Sequence, residues 1–498
     1  MSLRSWIGLA LLSSRFFLPT EALPAANAGD AACASLVSSL GADIVHTSGS
    51  GFQDSVDSPL NLVNNALTPA CVVTPTSTEH VSQAMAAIYN AKSKYAVLAG
   101  GHSAMKGWNN VEGGVLIDFK NMKSASYNAQ KDTITLQPGI RWGETVAALA
   151  PQGVAPVGGR AAHVGSGFLL GGGISFLSPA VGWGADLYRE LDVVLVDGTV
   201  VTATVDNEYS DLFKALKGGG NRFGIVTRYE VEAYHSGTKD DKTWTGGYIQ
   251  YPESSIEDVL KATARFTREV KDPNATIFVT LVELVNDGVI TPFLQVNLFY
   301  HGSELPESVF GELQSIPSAA SNIRPMSYAD IVAETFPDED AHGTTFIYGS
   351  SVLAGTDEDA FVNAFKANLD FTNSHKSQLS NTALTFTPVP DSQVLAGRER
   401  GGNAIDAPVT GGYAVVQIMQ TLVPGVVEPS SEILDAKKQL LQQIKPTPGL
   451  PLFLNECDAN QNIFATYGQY NFLKQTYAKY DPERIQHAIY FRTHGPLN

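Results

Sequence analysis

At 498 residues the chain exceeds what one hydrophobic core organises, so two or more domains are expected. A formal net charge of −17 excludes the basic face that nucleic-acid binding requires and disfavours anionic membrane surfaces. Hydrophobic residues at 44%, charged residues at 17% and 45 clustered glycines fit a globular enzyme that takes a neutral or cationic small molecule.

Arg4 precedes an apolar run over residues 6–12, interrupted afterwards by Arg15. Ala26-Asn27-Ala28 before Gly29 has the small-x-small form of a signal cleavage site, and Thr20-Glu21-Ala22 is a second candidate. A signal peptide over 1–28 and secretion are expected. No other stretch reaches the roughly 18 apolar residues that a membrane span needs. Export permits a disulfide, for which Cys33 and Cys71 are the candidate pair, leaving Cys457 as a buried free thiol. The cysteine spacings fit no zinc motif. Asn274-Ala275-Thr276 is the only N-glycosylation sequon, so an N-glycan at Asn274 is expected.

Residues 77–93 read as a helix, capped by Thr76 or Ser77, with Val81, Ala84, Met85 and Ile88 at helical spacing. The strand 95–98 runs into Ala99-Gly100-Gly101-His102-Ser103. Residues 115–117 and 133–137 are short strands. A hairpin is expected over 191–196 and 199–204 about Asp197-Gly198, then a helix over 209–217 and a strand from Ile225. Polar residues 235–243 mark a domain boundary. Beyond it, strand-like runs at 275–284 and 292–300 are expected with amphipathic helices between. A helix near 431–445 carries Ile433, Leu440, Leu441 and Ile444 on one stripe. This pattern reads as α+β.

Four glycine clusters punctuate the first part. Gly100-Gly101 adjoins His102, whose imidazole is a nucleophile. The second runs from Gly158 to Gly173. It lacks the Gly-Lys-Ser/Thr of a P-loop, and Gly165-x-Gly167-x-x-x-Gly171 has the wrong spacing for a Rossmann fingerprint. Gly182-Trp183-Gly184-Ala185-Asp186 and Gly218-Gly219-Gly220-Asn221-Arg222-Phe223-Gly224 complete the set. Glycine loops between short strands suit an extended cofactor gripped by backbone amides.

This ordered set resembles the vanillyl-alcohol-oxidase-type (PCMH-type) flavoproteins, in the berberine-bridge-enzyme-like branch of fungal FAD-linked oxidoreductases. Val194-Leu195-Val196-Asp197-Gly198, Gly401-Gly402-Asn403-Ala404, Phe453-Leu454-Asn455-Glu456 and Lys479-Tyr480-Asp481-Pro482 extend the likeness over nearly the whole chain. The resemblance implies a PCMH-type FAD-binding domain over 29–236, a substrate domain over 237–454 with a large antiparallel sheet covered by helices, and a return to the FAD domain over 455–498. It implies FAD contacts from Leu98, Ala99, Gly100, Gly101 and Ser103, and from Val164, Gly165, Gly167, Gly171, Gly172 and Gly173. Further contacts are implied for Gly184, Asp186, Gly224, Ile225, Val226, Gln469 and Tyr470. Asn471 remains an alternative to that last pair, because the count back from Lys479 needs a one-residue deletion.

His102 is implied as a covalent tether to the 8-alpha methyl carbon of FAD. Many relatives add a second link through cysteine where this chain has Ala161, so a single attachment through His102 is expected. Phe168 stands where glycine is frequent. Thr387 replaces a glutamine common in fungal relatives, which argues against a carbohydrate-type site. The base varies in this branch; Glu456, Tyr413 and Tyr188 are the candidates. His163 is a loop histidine that could face flavin or substrate. The expected activity is an oxidase taking hydride from a small secondary metabolite, alcohol or amine, with O2 as acceptor. A redox-neutral cyclase and a carbohydrate oxidase are the alternatives.

Overall fold

The computed structural model describes residues 28–336 and 342–485. Residues 1–27 of the expected signal peptide and residues 486–498 of the expected return lie outside the described residues.

Ser77 caps the first long helix, Thr78–Ala91, by accepting from the His80 amide at 3.4 Å. Val81, Ala84, Met85 and Ile88 are its buried face, as the helical spacing predicts. That face covers a four-stranded sheet in which Cys71–Val73, Val115–Asp118 and Tyr95–Leu98 run parallel. The helix Ala28–Leu40 packs on the same core and is joined to the sheet by the Cys33–Cys71 disulfide. This cross-link closes a 38-residue separation, which corresponds to about 4 kcal/mol of unfolded-state entropy in the chain-entropy picture. Cys33→Ser with Cys71→Ser is therefore expected to lower the unfolding free energy by ~2–4 kcal/mol in urea titrations. An unchanged urea midpoint would contradict that account. Cys457 is the free cysteine and is buried, its thiol donating to the Phe453 carbonyl at 3.1 Å.

A second, antiparallel sheet contains Tyr188–Val194, Val200–Thr204 and Ile225–Glu232 beside Thr133–Leu136 and Ala125–Asn128. The predicted hairpin forms, with Leu195–Thr199 closing its turn through Leu195 N–H to Thr199 O at 2.8 Å.

The third sheet has seven antiparallel strands between Trp244 and Leu422. One departure from the sequence reading lies here. Ala275–Asn286 and Val289–Tyr300 have no helix between them; Asp287 and Gly288, with φ of 50° and 75°, join them directly. Two left-handed residues make the primed turn that matches strand twist, and Asp-Gly is its usual signal. Alternation then sorts the strands. Ile277, Val279 and Leu281 pack under helices Ile256–Glu269 and Glu358–His375, while Phe278 faces away from that core. The helix Ser431–Gln443 buries Ile433 and Leu440 on the same core.

Glu283 is fully enclosed on the helix-covered face. Its Oε2 accepts from Thr372 and Thr382, and its Oε1 has no hydrogen-bond partner. Burial raises its pKa. The folded protein thus keeps a proton that the unfolded chain releases near 4.5. The associated stability is full below that value and is lost as pH rises through the folded pKa. Glu283→Gln is neutral throughout. It is expected to raise the unfolding temperature more at pH 8 than at pH 5, as scanning calorimetry would show; an equal gain at both would count against a buried proton.

Candidate functional site

The strand Tyr95–Leu98 delivers the first loop. Val97 and Ala99 line a cavity, whereas Leu98 points the other way into Val72, Ala96, Val111 and Leu116. The Gly100 loop and the Gly165 loop meet backbone to backbone. A Cβ on Gly100 would stand 2.5 Å from the Gly165 nitrogen, and one on Gly165 2.6 Å from the Gly100 nitrogen. Only glycine fits at either position. Gly101, at φ 72°, turns the chain so that His102 follows on the cavity wall.

The cavity has a main lobe of about 390 Å³ and a second of about 110 Å³. They share Val97, Ala99, Gly167, Leu170 and Asn221, so they form one trough. Tyr95, Phe119, Gly224, Ile225, Val226 and Tyr229 wall the smaller lobe. Gly100, Gly101, His102, Ser103, Val164, Gly165, Gly171 and Glu456 stand around the larger.

His102 stacks on His163, ring centroids 4.8 Å apart. Its Nε2 is enclosed and has no hydrogen-bond partner. Burial, with His163 and Arg141 nearby, pushes the imidazole down to about 3. It is therefore the neutral, nucleophilic form at physiological pH.

Arg160 and Glu456 form a second polar group on the main lobe, backed by Thr387. Arg160 donates to Thr387 Oγ1 at 2.7 Å and lies 3.4 Å from Glu456 Oε1, with its guanidinium 4.2 Å above the Phe278 ring. Glu456 is 7% exposed, and its Oε2 has no partner. Burial pushes its carboxyl up to about 7, against the opposing pull of Arg160. The segment bearing Glu456 is held at three points. Asn455 donates to the Phe168 carbonyl at 2.9 Å, Gln461 exchanges hydrogen bonds with the Ser350 backbone, and Asp458 pairs with the buried Lys437. Asn455 presses so closely on Gly171 that a Cβ there would meet its Oδ1 at 2.0 Å.

Several sequence candidates sit off the cavity wall. Tyr188 and Tyr413 are core residues, at 3% exposure each. Tyr188 packs on Phe213 and Tyr229. Gly172 abuts Ile405, Gly173 abuts Phe168, and Gly184 abuts the Val157 carbonyl. Asp186 accepts from the Trp183 amide and from Asn403 Nδ2, both at 2.9 Å, so it ties its loop to the Gly401–Ala404 motif. Gln469 donates to Asp406 at 2.7 Å, and Tyr470 packs on the adjoining core. The Lys479-Tyr480 pair serves a similar end, holding Asp211 through Nζ and the phenol oxygen at 2.7 Å each.

Conversely, Arg160, Tyr348, Gln417, Phe278 and Phe336 line the main lobe without having been singled out as site residues. Arg160 had a signal, being the only charged residue among the glycines of 158–173. The others come from strands and a helix end remote in sequence, and no local pattern marks them.

A flavin dinucleotide suits this trough. Gly100 and Gly165 leave no room for side chains, the smaller lobe is a slot walled by Tyr95, Phe119, Ile225 and Tyr229, and the neutral imidazole of His102 lines the larger lobe. Gly224, Ile225 and Val226, with the 99–103 and 164–167 loops, would hold the dinucleotide.

Comparison with known proteins agrees. The FAD binding domain family matches residues 69–204. An uncharacterised FAD-linked oxidoreductase of Arthroderma benhamiae is 30% identical over 416 residues, covering 80% of this chain and 81% of that one. The solved structure of berberine bridge enzyme superposes with a TM-score of 0.73 at 16% identity, covering 92% and 97% of the two chains. Glucooligosaccharide oxidase from Acremonium strictum, described with a 6-S-cysteinyl, 8α-N1-histidyl FAD, gives 0.72 at 19%, covering 91% and 97%. The chain is a member of the FAD-linked oxidoreductases and has the berberine-bridge-enzyme fold.

Proposed function

We propose that this FAD-linked oxidoreductase is an exported oxidase that takes hydride from a carbon bearing O–H or N–H on a small, largely apolar molecule and passes the electrons to O2. One observation carries the reading: His102 and Glu456 line the same cavity, and neither His102 Nε2 nor Glu456 Oε2 has a hydrogen-bond partner. Bound FAD supplies the two-electron acceptor. Glu456, poised near neutrality, takes the proton of the substrate O–H or N–H. Phe278, Phe336, Tyr348 and Trp108 exclude water around it and favour an apolar ligand over a sugar.

His102 forms the single tether. Its imidazole would hold the cofactor through a C–N bond to the 8-methyl carbon, with O2 as the two-electron oxidant that the attachment would require. Ala161 lines the cavity where a second, sulfur link would need a thiol. The Cys33–Cys71 disulfide supports an oxidising compartment, and Asn274 is exposed, as an N-glycan there requires.

Anaerobic mixing with a panel of phenolic alcohols, secondary alcohols, amines and oligosaccharides tests the activity. Bleaching of the flavin by an apolar alcohol or amine, and one peroxide per turnover after admitting air, is expected. Product formed without bleaching would replace this reading with a redox-neutral cyclase, and bleaching by oligosaccharides alone would replace it with a carbohydrate oxidase.

A further inference from the structure

We infer that Asn61 and Asn64 are positioning residues for His102, and that through Asn61 the seven-stranded sheet completes the support of the histidine loop. The inference rests on the proposed His102 tether and names what orients it.

Residues 101–104 have no regular secondary structure, so their backbone groups need partners from outside a helix or a ladder. The segment 60–64 supplies them. The Leu60 amide donates to the Gly101 carbonyl at 2.9 Å. Asn61 Nδ2 donates to the Ala104 carbonyl at 2.8 Å, and Asn64 Nδ2 to the Ser103 and Met105 carbonyls at 3.3 and 3.1 Å. Asn64 Oδ1 accepts from the Gly107 amide at 2.8 Å. Both asparagines are fully buried. The chain on either side of His102 is thus fixed, while the His102 ring lines the cavity.

Asn61 also reaches the sheet. As the N-cap of the short helix Leu62–Asn65, its Oδ1 accepts from the Val63 amide at 3.4 Å. Serine would serve that end as well. Only an amide adds two N–H donors, and both are used here. One goes to Ala104; the other goes to the Phe346 carbonyl at 2.7 Å, and Oδ1 accepts in return from the Phe346 amide at 3.3 Å. The neighbouring Leu62 amide donates to the Thr344 carbonyl at 3.0 Å. Phe346–Ala354 is the outer strand of the seven-stranded sheet. It carries Tyr348 on the cavity wall, and its Ser350 backbone holds Gln461, which braces the Glu456 segment. One buried side chain therefore bonds both the histidine loop and a strand of the cavity wall. Lys106, in the same loop, pairs with Glu428 beyond the strand Tyr413–Leu422, but both side chains are exposed, and such pairs hold little.

Full-length protein produced under riboflavin starvation and then given FAD supplies the test. Acid-stable flavin is followed over time by fluorescence, and reversible FAD binding is measured separately by filtration. Asn61→Ser keeps the cap but is too short to bridge Ala104 and Phe346. It should bind FAD with unchanged affinity and attach it roughly 10–100-fold more slowly at saturating FAD, the loss expected when a reacting group is misplaced by about 1 Å. Asn64→Ala, which frees the loop without touching the sheet, should slow attachment in the same way, and it decides the matter if the Asn61 variant does not fold. Lys106→Ala should attach flavin at the wild-type rate. A purely structural role would lower FAD affinity or folded yield and leave the rate at saturating FAD unchanged. That rate, found at the wild-type value in either asparagine variant, would overturn the inference, as would an equal slowing in Lys106→Ala. Wild-type protein with no acid-stable flavin would remove the tether itself and this inference with it, a result distinct from normal attachment in the variants.

Discussion

Acid precipitation of the purified protein is expected to carry all of its yellow colour into the pellet, whereas His102→Ala should release the colour to the supernatant. The effect is all or none, because the tether is proposed to be single. Three features favour bond formation at this residue. The imidazole follows a turn that Gly100 and Gly101 fix, with Gly100 locked against the Gly165 backbone. Its Nε2 is spared a competing hydrogen bond. Its depressed pKa, about 3, keeps the ring unprotonated across the physiological range. That last point adds a sign. A histidine of ordinary pKa 6.5 would lose nucleophilicity progressively below neutrality; His102 should incorporate flavin equally at pH 5 and pH 8. His163→Ala separates packing from bonding. It removes the stacked ring at 4.8 Å but should leave the colour in the pellet. Colour that leaves wild-type protein in acid, or stays with His102→Ala, would defeat the tether.

The glycine motifs made the fold legible, yet they overstated the site. A backbone that must pass close to something requires glycine whether that something is a cofactor or a neighbouring side chain. Gly158 and Gly159 illustrate this, since a Cβ on either would fall within 2.4 Å of the Trp142 ring. Gly172 and Asp186 likewise serve packing within the chain, against Ile405 and Asn403, while Gly173 and Gly184 abut Phe168 and the Val157 carbonyl. Periodicity found the helix Thr78–Ala91 and the hairpin after Tyr188, because each rests on local contacts. It could not find Tyr348, Phe278 or Gln417. Their membership of the cavity depends on which face of a seven-stranded sheet meets the glycine loops, and that is fixed only by long-range pairing. Arg160 was visible but unread: a lone charge in a glycine run looks like a solvated loop residue until Thr387 and Glu456 are brought to it.

Glu456→Gln is expected to lower kcat for the oxidised substrate by roughly 10²–10⁴-fold, the range over which a positioned general base acts. The glutamine keeps the shape and the contact to Arg160 Nη2 through its oxygen, so fold and flavin content should be retained. What it loses is the ability to take a proton. Glu456 acts as a base only when ionised, so wild-type kcat/KM should rise with pH through about 7 and then level. In the variant the residual rate should lose that step. The direction distinguishes a base from a positioning group. If Glu456 served only to hold Arg160, the charged form would matter for binding, and the substitution would raise KM while leaving kcat and its pH dependence intact. Arg160 bears on the same profile from the other side. Its positive charge holds the carboxyl down against burial, so Arg160→Gln should move the wild-type midpoint upward, toward a more reluctant acid. A midpoint that stays in place would detach the guanidinium from the titrating carboxylate. A pH step that survives Glu456→Gln would transfer the base to another group on the cavity wall.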